Sequence, residues 1–218
     1  QSPAFFQAAK WSHALILARD TLVMSILAIG LAGIIASLTI MPSARNIAFG
    51  ELTPAPKYWR VVFILFRAIY LLTRSIPELI WAMMIIFLLN PGIVTGSLAL
   101  AAHNLGILGK LGSEVIEDMD PAPARSLRGN GANNGQLFLY GVLPMVLPQL
   151  LTYLLYRWEV IIRATIVVGF VAAGGLGYEF RLHMSFFRYT DITLLLTVYL
   201  LLVWMVDLVS VGLRKLAR

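Results

Sequence analysis

Cysteine is absent, which removes disulfide staples and thiolate metal sites and leaves the redox compartment open. Charge is scarce. Asp, Glu, Lys and Arg make up 13% of the 218 residues, against about a quarter in soluble domains. Hydrophobic residues reach 59%, and the mean hydropathy is +0.82. Together these values exclude an ordinary soluble domain. No Gly-x-x-x-x-Gly-Lys-Ser/Thr loop occurs, so the chain has no such cradle for nucleotide phosphates. His13, His103 and His183 stand far apart with no ligand spacing, which gives no metal site. His103, inside an apolar run, is expected to be packed or hydrogen-bonded. No nucleic-acid module is present. The net charge of +6 is better explained by basic residues kept in cytoplasmic loops of a membrane protein.

Long runs without Lys, Arg, Asp or Glu are what the chain does have. Thr21–Met41 makes one spanning helix closed by Pro42, and a polar stretch with Pro54 and Pro56 follows. In Tyr58–Arg74, Arg60, Arg67 and Arg74 recur every seven residues. At about 100° per residue they line one stripe of an otherwise apolar helix. Pro77 kinks or restarts that helix before Leu79–Leu89, and Asn90-Pro91-Gly92 turns the chain into a span over Ile93–Gly109. A polar cassette, 110–136, comes next. Residues 136–178 read either as an entry helix to Pro148 plus one span to about Val171, or as two spans. The last span is Ile192–Leu213.

Charge placement separates the two readings. With one span in that region, Arg45, Lys57, Arg60, Lys110, Arg125, Arg128, Arg214, Lys215 and Arg218 share a side, and only Lys10, Arg19, Arg181 and Arg188 lie opposite. The positive-inside rule favours this arrangement. The expectation is an all-α integral membrane protein with about five transmembrane helices, N-terminus out and C-terminus in. It is one transmembrane domain over 1–218, with the 110–136 loop in the cytoplasm. The chain opens on Gln1 without a signal-type leader, which leaves room for a sixth span upstream.

Within the cassette, Asp120-Pro121 is a helix start, and Gly129, Asn130 and Gly131, followed by Asn133 and Asn134, are a stop and turn. A short helix near 121–129 follows. The segment from Arg125 resembles the EAA loop of ABC-importer permeases. Gly131 falls on that loop's glycine and Leu143-Pro144 on its Ile-x-Leu-Pro, while Arg125, Ser126 and Leu127 replace Glu-Ala-Ala and Gly141 replaces the isoleucine. Taken in order, Arg74-Ser-Ile-Pro-Glu-Leu79, Gly109-Lys-Leu111, Ile116-Glu-Asp-Met-Asp-Pro121, Tyr140-Gly-Val-Leu-Pro144, Tyr156-Arg-Trp-Glu159 and Gly174-Gly-Leu-Gly177 resemble the phosphonate-type permeases of binding-protein-dependent importers.

That resemblance implies a type I ABC importer-like fold in the bacterial inner membrane and a homodimer of permeases. It also implies two ATP-binding subunits that carry ATP and Mg, and a periplasmic or lipid-anchored substrate-binding protein. The cargo would be a phosphonate, phosphite, phosphate or phosphate ester. Asp120, Pro121, Arg125, Ser126, Leu127, Gly131, Leu143 and Pro144 would couple to the ATPase. Other readings are a permease for another small anion or an amino acid, and a secondary transporter. The latter expects paired repeats with broken helices, and none is visible. A membrane enzyme would need a convergent His/Asp/Glu/Ser set, and none is visible either.

Ionisable residues inside a bilayer are candidates for function. Arg74 and Glu78 straddle Pro77 and would pair if the helix survives it. Glu159 and Arg163 are four apart and would face each other. Arg157 lies on another side with no local counter-charge, which offers a guanidinium fork to an oxyanion. These five are the candidate translocation residues, with a helix-locking role as the alternative, favoured for all but Arg157, where the two weigh evenly. Gly174, Gly175 and Gly177 are either a gating turn or close-packing positions. Asp207 is expected at the interface or in a polar contact. Trp59, Trp81, Trp158 and Trp204 are expected at the interface or between helices.

Overall fold

The computed structural model describes residues 4–50, 56 and 58–216. Gln1, Pro54, Lys57 and Arg218 of the sequence reading lie outside them. The described residues form helices with short connections and no strand.

Helix α1, Ala8–Thr39, begins well before the expected Thr21. Lys10, Arg19 and Asp20 end the apolar run but not the helix. They are compatible with helical backbone, and Lys10 reaches Asp191 at 2.6 Å. The helix is apolar all round. What it buries is a stripe of mostly small residues: Ala14, Ala18, Thr21, Ser25, Ala28, Ala32 and Ala36. Small residues at that spacing let a neighbouring helix approach closely. After α1 the chain turns at Pro42 into a short helix α2, Arg45–Ala48.

Helices α3, Tyr58–Ser75, and α4, Glu78–Ile86, meet at 93° across Pro77. Proline cannot continue the ladder, and the freed carbonyls need partners inside an apolar layer. Trp81 Nε1–H donates to the Thr73 carbonyl at 3.1 Å, and His103 Nδ1–H donates to that of Ile76 at 2.8 Å. So the helix does not survive the proline. The expected Arg74–Glu78 pair does not form, because the bend removes the i,i+4 register that would align them.

Helix α5, Ile93–Asp118, is the centre of the bundle and packs against α1, α3 and α4. It corrects the boundary expected at Lys110, since the first part of the polar cassette continues the helix. Lys110 and Glu114 make an i,i+4 pair at 2.9 Å. The charges mark a change of surroundings, not a change of backbone. Gly106 explains the tight α3 crossing, because a Cβ there would stand 2.6 Å from the Tyr70 carbonyl oxygen and 2.8 Å from the Arg74 nitrogen.

Helix α6, Ala122–Gly129, fills the middle of the cassette, and a single turn, α7, Asn134–Gln136, leads on. A π-helical stretch, Leu137–Val142, passes into α8, Leu143–Val168, and a second π stretch covers Gly169–Ala173. The helical path is therefore continuous from Asn134 to Val171, which fits the one-span reading. The break expected at Pro148 is absent. Pro148 sits inside α8, where the residue whose carbonyl it leaves unbonded is Pro144, in the exposed first turn. Helix α9, Gly175–Ser185, folds back beside α1 and α8, and α10, Tyr189–Leu216, closes the bundle against α8 and α1.

Two apolar clusters share these helices. One joins α1, α5 and α8 around Met24, Leu100, Ile116 and Ile161. The other joins the start of α1 to α9 and α10 around Ile162, Leu176, Val198 and Val206. Large apolar side chains such as Leu38, Phe87, Leu88 and Trp204 point outward, the inverse of a soluble surface and the pattern of a lipid-facing one. Helices α1, α8 with its flanking turns, and α10 are long and apolar enough to cross a membrane, and the bent α3–α4 pair qualifies jointly. With the buried α5 the number comes to about the five expected.

Candidate functional site

The cassette helix is built by its ends. Asp120 Oδ1 accepts the Ala122 N–H at 2.9 Å, but from one residue further out than expected, because Pro121 and not Asp120 occupies the N-cap. At the far end Gly131 has φ +85°. There Gly131 N–H reaches the Arg128 carbonyl at 3.0 Å, and Ala132 N–H reaches that of Leu127 at 3.1 Å. These two bonds form a Schellman stop, which needs a residue comfortable at positive φ. Asn133 and Gln136 then make a reciprocal capping box, with bonds of 2.8 and 3.0 Å.

Ala124 is buried, and Arg125 and Ser126 are exposed. Leu127 turns inward: its Cδ1 lies 3.1 Å from where a Cβ on Gly141 would stand, with Ala124 Cα at 3.5 Å. Two of the four departures from the EAA-loop pattern, Leu127 and Gly141, thus compensate each other. A large residue on α6 fills the space that the missing side chain at Gly141 leaves. Leu143 and Pro144 form the first turn of α8 and lie outside that contact.

One elbow lies just ahead of α6, inside the cassette, and was missed in the sequence. Glu117, on the last turn of α5, pairs with the Arg67 guanidinium and accepts the Arg45 backbone N–H at 2.6 Å. Asn46 Nδ2–H donates to the Ile116 carbonyl at 2.7 Å, and Arg67 Nε–H to that of Ser43 at 3.1 Å. Tyr70 OH donates to Thr39 Oγ1 at 2.7 Å. The ends of α1 and α5 are therefore fastened to α2 and α3. The arginine stripe was the only available signal, since the partners come from distant parts of the chain.

A second polar group lies where α4, α5 and α8 meet. Arg157 donates from Nε and Nη2 to Asn104 Oδ1, at 2.9 and 2.6 Å. Glu78 acts on it electrostatically without contact, and Glu78 also stands 3.6 Å from His103 Nε2. Arg74 is exposed near the Pro77 break. Arg157 makes no ion pair among the described residues. Glu159 and Arg163 do not face each other as expected. Each reaches across to α10, Glu159 to Arg214 at 2.7 Å and Arg163 to Asp207 at 3.2 Å. An antiparallel neighbour offers each one a closer opposite charge than its own helix does.

At the α8–α9 corner Gly174 has φ +87°, and the chain reverses there. Thr21 Oγ1 accepts the Leu176 N–H at 2.9 Å. A Cβ on Gly175 would lie 2.6 Å from that hydroxyl, and one on Gly177 would lie 2.9 Å from Gly169 Cα and press on the Ile166 carbonyl. Gly175 and Gly177 are close-approach positions. A polar hollow of about 380 Å³ lies nearby between α1, α9 and α10. It holds Lys10, His13, Glu179, His183, Arg188 and Asp191. No group of three metal-ligating side chains is found among the described residues.

A bundle of several apolar helices, with a short capped helix between two of its long ones, defines a multi-span membrane protein. The chain belongs to the family described as binding-protein-dependent transport system inner membrane component, whose model matches residues 55–217. It is 37% identical to the phosphite transport system permease protein PtxC of Stutzerimonas stutzeri, over 98% of this chain and 73% of that one. It is 30% identical to the phosphate-import permease protein PhnE of Mycolicibacterium smegmatis, over 92% of this chain but 36% of that one. Among solved structures it is similar to the MetNI methionine ABC transporter in an inward-facing conformation. The TM-score is 0.80 at 17% identity, covering 98% of this chain and 100% of that chain, a likeness of fold. Membership makes this a multi-pass inner-membrane component of an ABC importer, a transport subunit that works with ATP-binding subunits and a substrate-binding protein.

Proposed function

We propose that the chain, as one permease domain over 1–218, moves a small phosphorus oxyanion into the cytoplasm: phosphite, phosphate, a phosphonate or a phosphate ester. Two copies form the conduit, two ATP-binding subunits sit below, and a periplasmic or lipid-anchored binding protein delivers cargo from above. ATP and Mg belong to the motor subunits. The relatives named for phosphite transport and phosphate import support the cargo class. The observation that carries the reading is Arg157, a guanidinium between helices whose hydrogen-bond partner is a neutral amide. Arg74 and Glu78 accompany it along the path, with Glu78 limiting how tightly an anion is held. Glu159 and Arg163, tied to α10, serve to lock the bundle.

Coupling falls to the 110–136 segment. Asp120, Pro121 and Gly131 shape α6, Arg125 and Ser126 present its exposed face to the ATPase, and Leu127 seats it on the turn before Leu143-Pro144. Different docking of α6 in the two membrane states would let ATP-driven closure shift their equilibrium. Gly174, Gly175 and Gly177 form a tight corner at the outer gate. The test is phosphite and phosphate uptake by the assembled complex in vesicles carrying Arg157→Ala. The expected result is loss of uptake with the complex intact; unchanged uptake refutes the role of Arg157.

A further inference from the structure

Asn104 holds a cation without neutralising it. It is 2% exposed on the inner face of α5, with Nδ2–H donating to the Leu100 carbonyl at 2.7 Å. Its Oδ1 takes two N–H groups of Arg157. Four other cations that tie separate helices together meet carboxylates: Arg67 with Glu117, Arg163 with Asp207, Arg214 with Glu159, and Lys10 with Asp191. Aspartate at 104 would have the same shape, accept the same two bonds and add Coulomb attraction, giving up only the N–H donated within α5 to the Leu100 carbonyl. Holding α5 to α8 does not by itself account for an amide there.

We infer that Asn104 is a positioning residue for anion passage: it fixes the plane of the Arg157 fork and leaves the guanidinium charge for the translocated oxyanion. With Nε and Nη2 turned to Asn104, Nη1 makes no bond among the described residues. Immobilising the fork beforehand lowers the ordering cost of each encounter. A neutral holder also keeps the site from being filled by a built-in carboxylate. The charged group acting on it is Glu78 at the α3–α4 break, and His103, beside Asn104 on α5, stands 3.6 Å from Glu78 with its Nδ1 committed to the Ile76 carbonyl. This inference rests on the reading of Arg157 as a contact for the cargo.

The test uses the complete complex in vesicles with phosphite as probe and compares Asn104→Asp, Asn104→Asp with Glu78→Gln, and Arg157→Gln. Asn104→Asp keeps the two bonds to Arg157, gives up the one to the Leu100 carbonyl and cancels the charge. Phosphite uptake is expected to fall about tenfold or more, the scale of one charge-assisted contact. Adding Glu78→Gln removes a neighbouring negative charge and is expected to restore most of that loss, which a packing defect would not allow. Wild-type uptake by Asn104→Asp while Arg157→Gln is inactive overturns the role of Asn104 and leaves Arg157 standing. Wild-type uptake by Arg157→Gln overturns the reading beneath both. A loss in Asn104→Asp that Glu78→Gln does not relieve assigns Asn104 to packing and also overturns the inference. If Asn104→Asp fails to assemble, Asn104→Thr, a neutral acceptor, is read instead: retained uptake supports the inference, and loss equal to that of Arg157→Gln refutes it.

Discussion

Removing the Glu117 carboxylate tests whether the elbow ahead of α6 is held from α5. Glu117 meets Arg67 and the Arg45 N–H, and the Arg67 and Glu117 side chains are 26% and 23% exposed. A hydrogen bond to a charged group contributes about 1.5–3 kcal/mol, and partial exposure lowers that figure. The Arg45 N–H is exposed and finds water when its partner leaves. Glu117→Ala should therefore weaken docking of the α5 end by about 2 kcal/mol, roughly a 30-fold rise in the undocked population. Hydrogen exchange on the purified protein in a bilayer disc reads this directly. Amides across 44–50 and 113–119 should exchange faster, while those around Gly169–Leu176, at the other end of α8, stay unchanged. Glu117→Gln, still an acceptor, should fall between the two. Unchanged exchange in both segments for Glu117→Ala refutes the reasoning, as does a Gln variant as loose as the Ala variant.

Three further outcomes are expected. Gly177→Ala forces a methyl against Gly169 and the Ile166 carbonyl. Overpacking of this kind costs about 1–3 kcal/mol, visible as a lower midpoint of thermal unfolding in detergent. Gly141→Ile should collide with Leu127 and loosen α6, and Leu127→Ala in the same chain should restore its seating. Protease susceptibility of the 119–133 segment measures both variants, and a double variant no better than Gly141→Ile alone would show that the two side chains do not share one space. Glu159→Gln and Arg214→Gln should each destabilise the α8–α10 packing, because each leaves the other charge poorly compensated. The double variant should lose less than the sum of the two, and additive losses in a double-mutant cycle would remove the proposed pair.

Much of the fold could be read from the chain because a bilayer imposes few choices. Apolar runs closed by Pro42, Pro77 and Asn90-Pro91-Gly92 give helices that end or bend at those places. The cassette helix was legible from its ends, since Asp120, Pro121 and Gly131 act through local backbone geometry. Helix ends marked only by charge were not. Lys110 and Asp20 carry charge within an unbroken hydrogen-bond ladder, so the polar boundary and the helix boundary separate. The pairings of Glu159 and Arg163 were also hidden. An i,i+4 rule sees one helix, while their partners Arg214 and Asp207 arrive from α10 only after the chain has reversed at Gly174. Asn104 escaped notice for a related reason. An isolated amide in an apolar run has no sequence signature until Arg157 is brought against it.

The break at Pro77 and the fork of Arg157 are governed from one turn of α5. His103 and Asn104 are consecutive, so their side chains leave the helix about 100° apart and address different neighbours. His103 supplies the donor that the broken α3 needs at Ile76, and Asn104 supplies the acceptor that Arg157 on α8 needs. In an apolar layer neither debt can be met by water, so both neighbours are bound to the orientation of α5 at this level. The opposite end of the same helix carries Ile116 and Glu117, which fasten α2 and α3 just ahead of α6. A twist or shift of α5 cannot leave either set of bonds unstrained. That makes the central helix, more than the cassette alone, the physical link between the segment a motor would grip and the arginine an anion would meet.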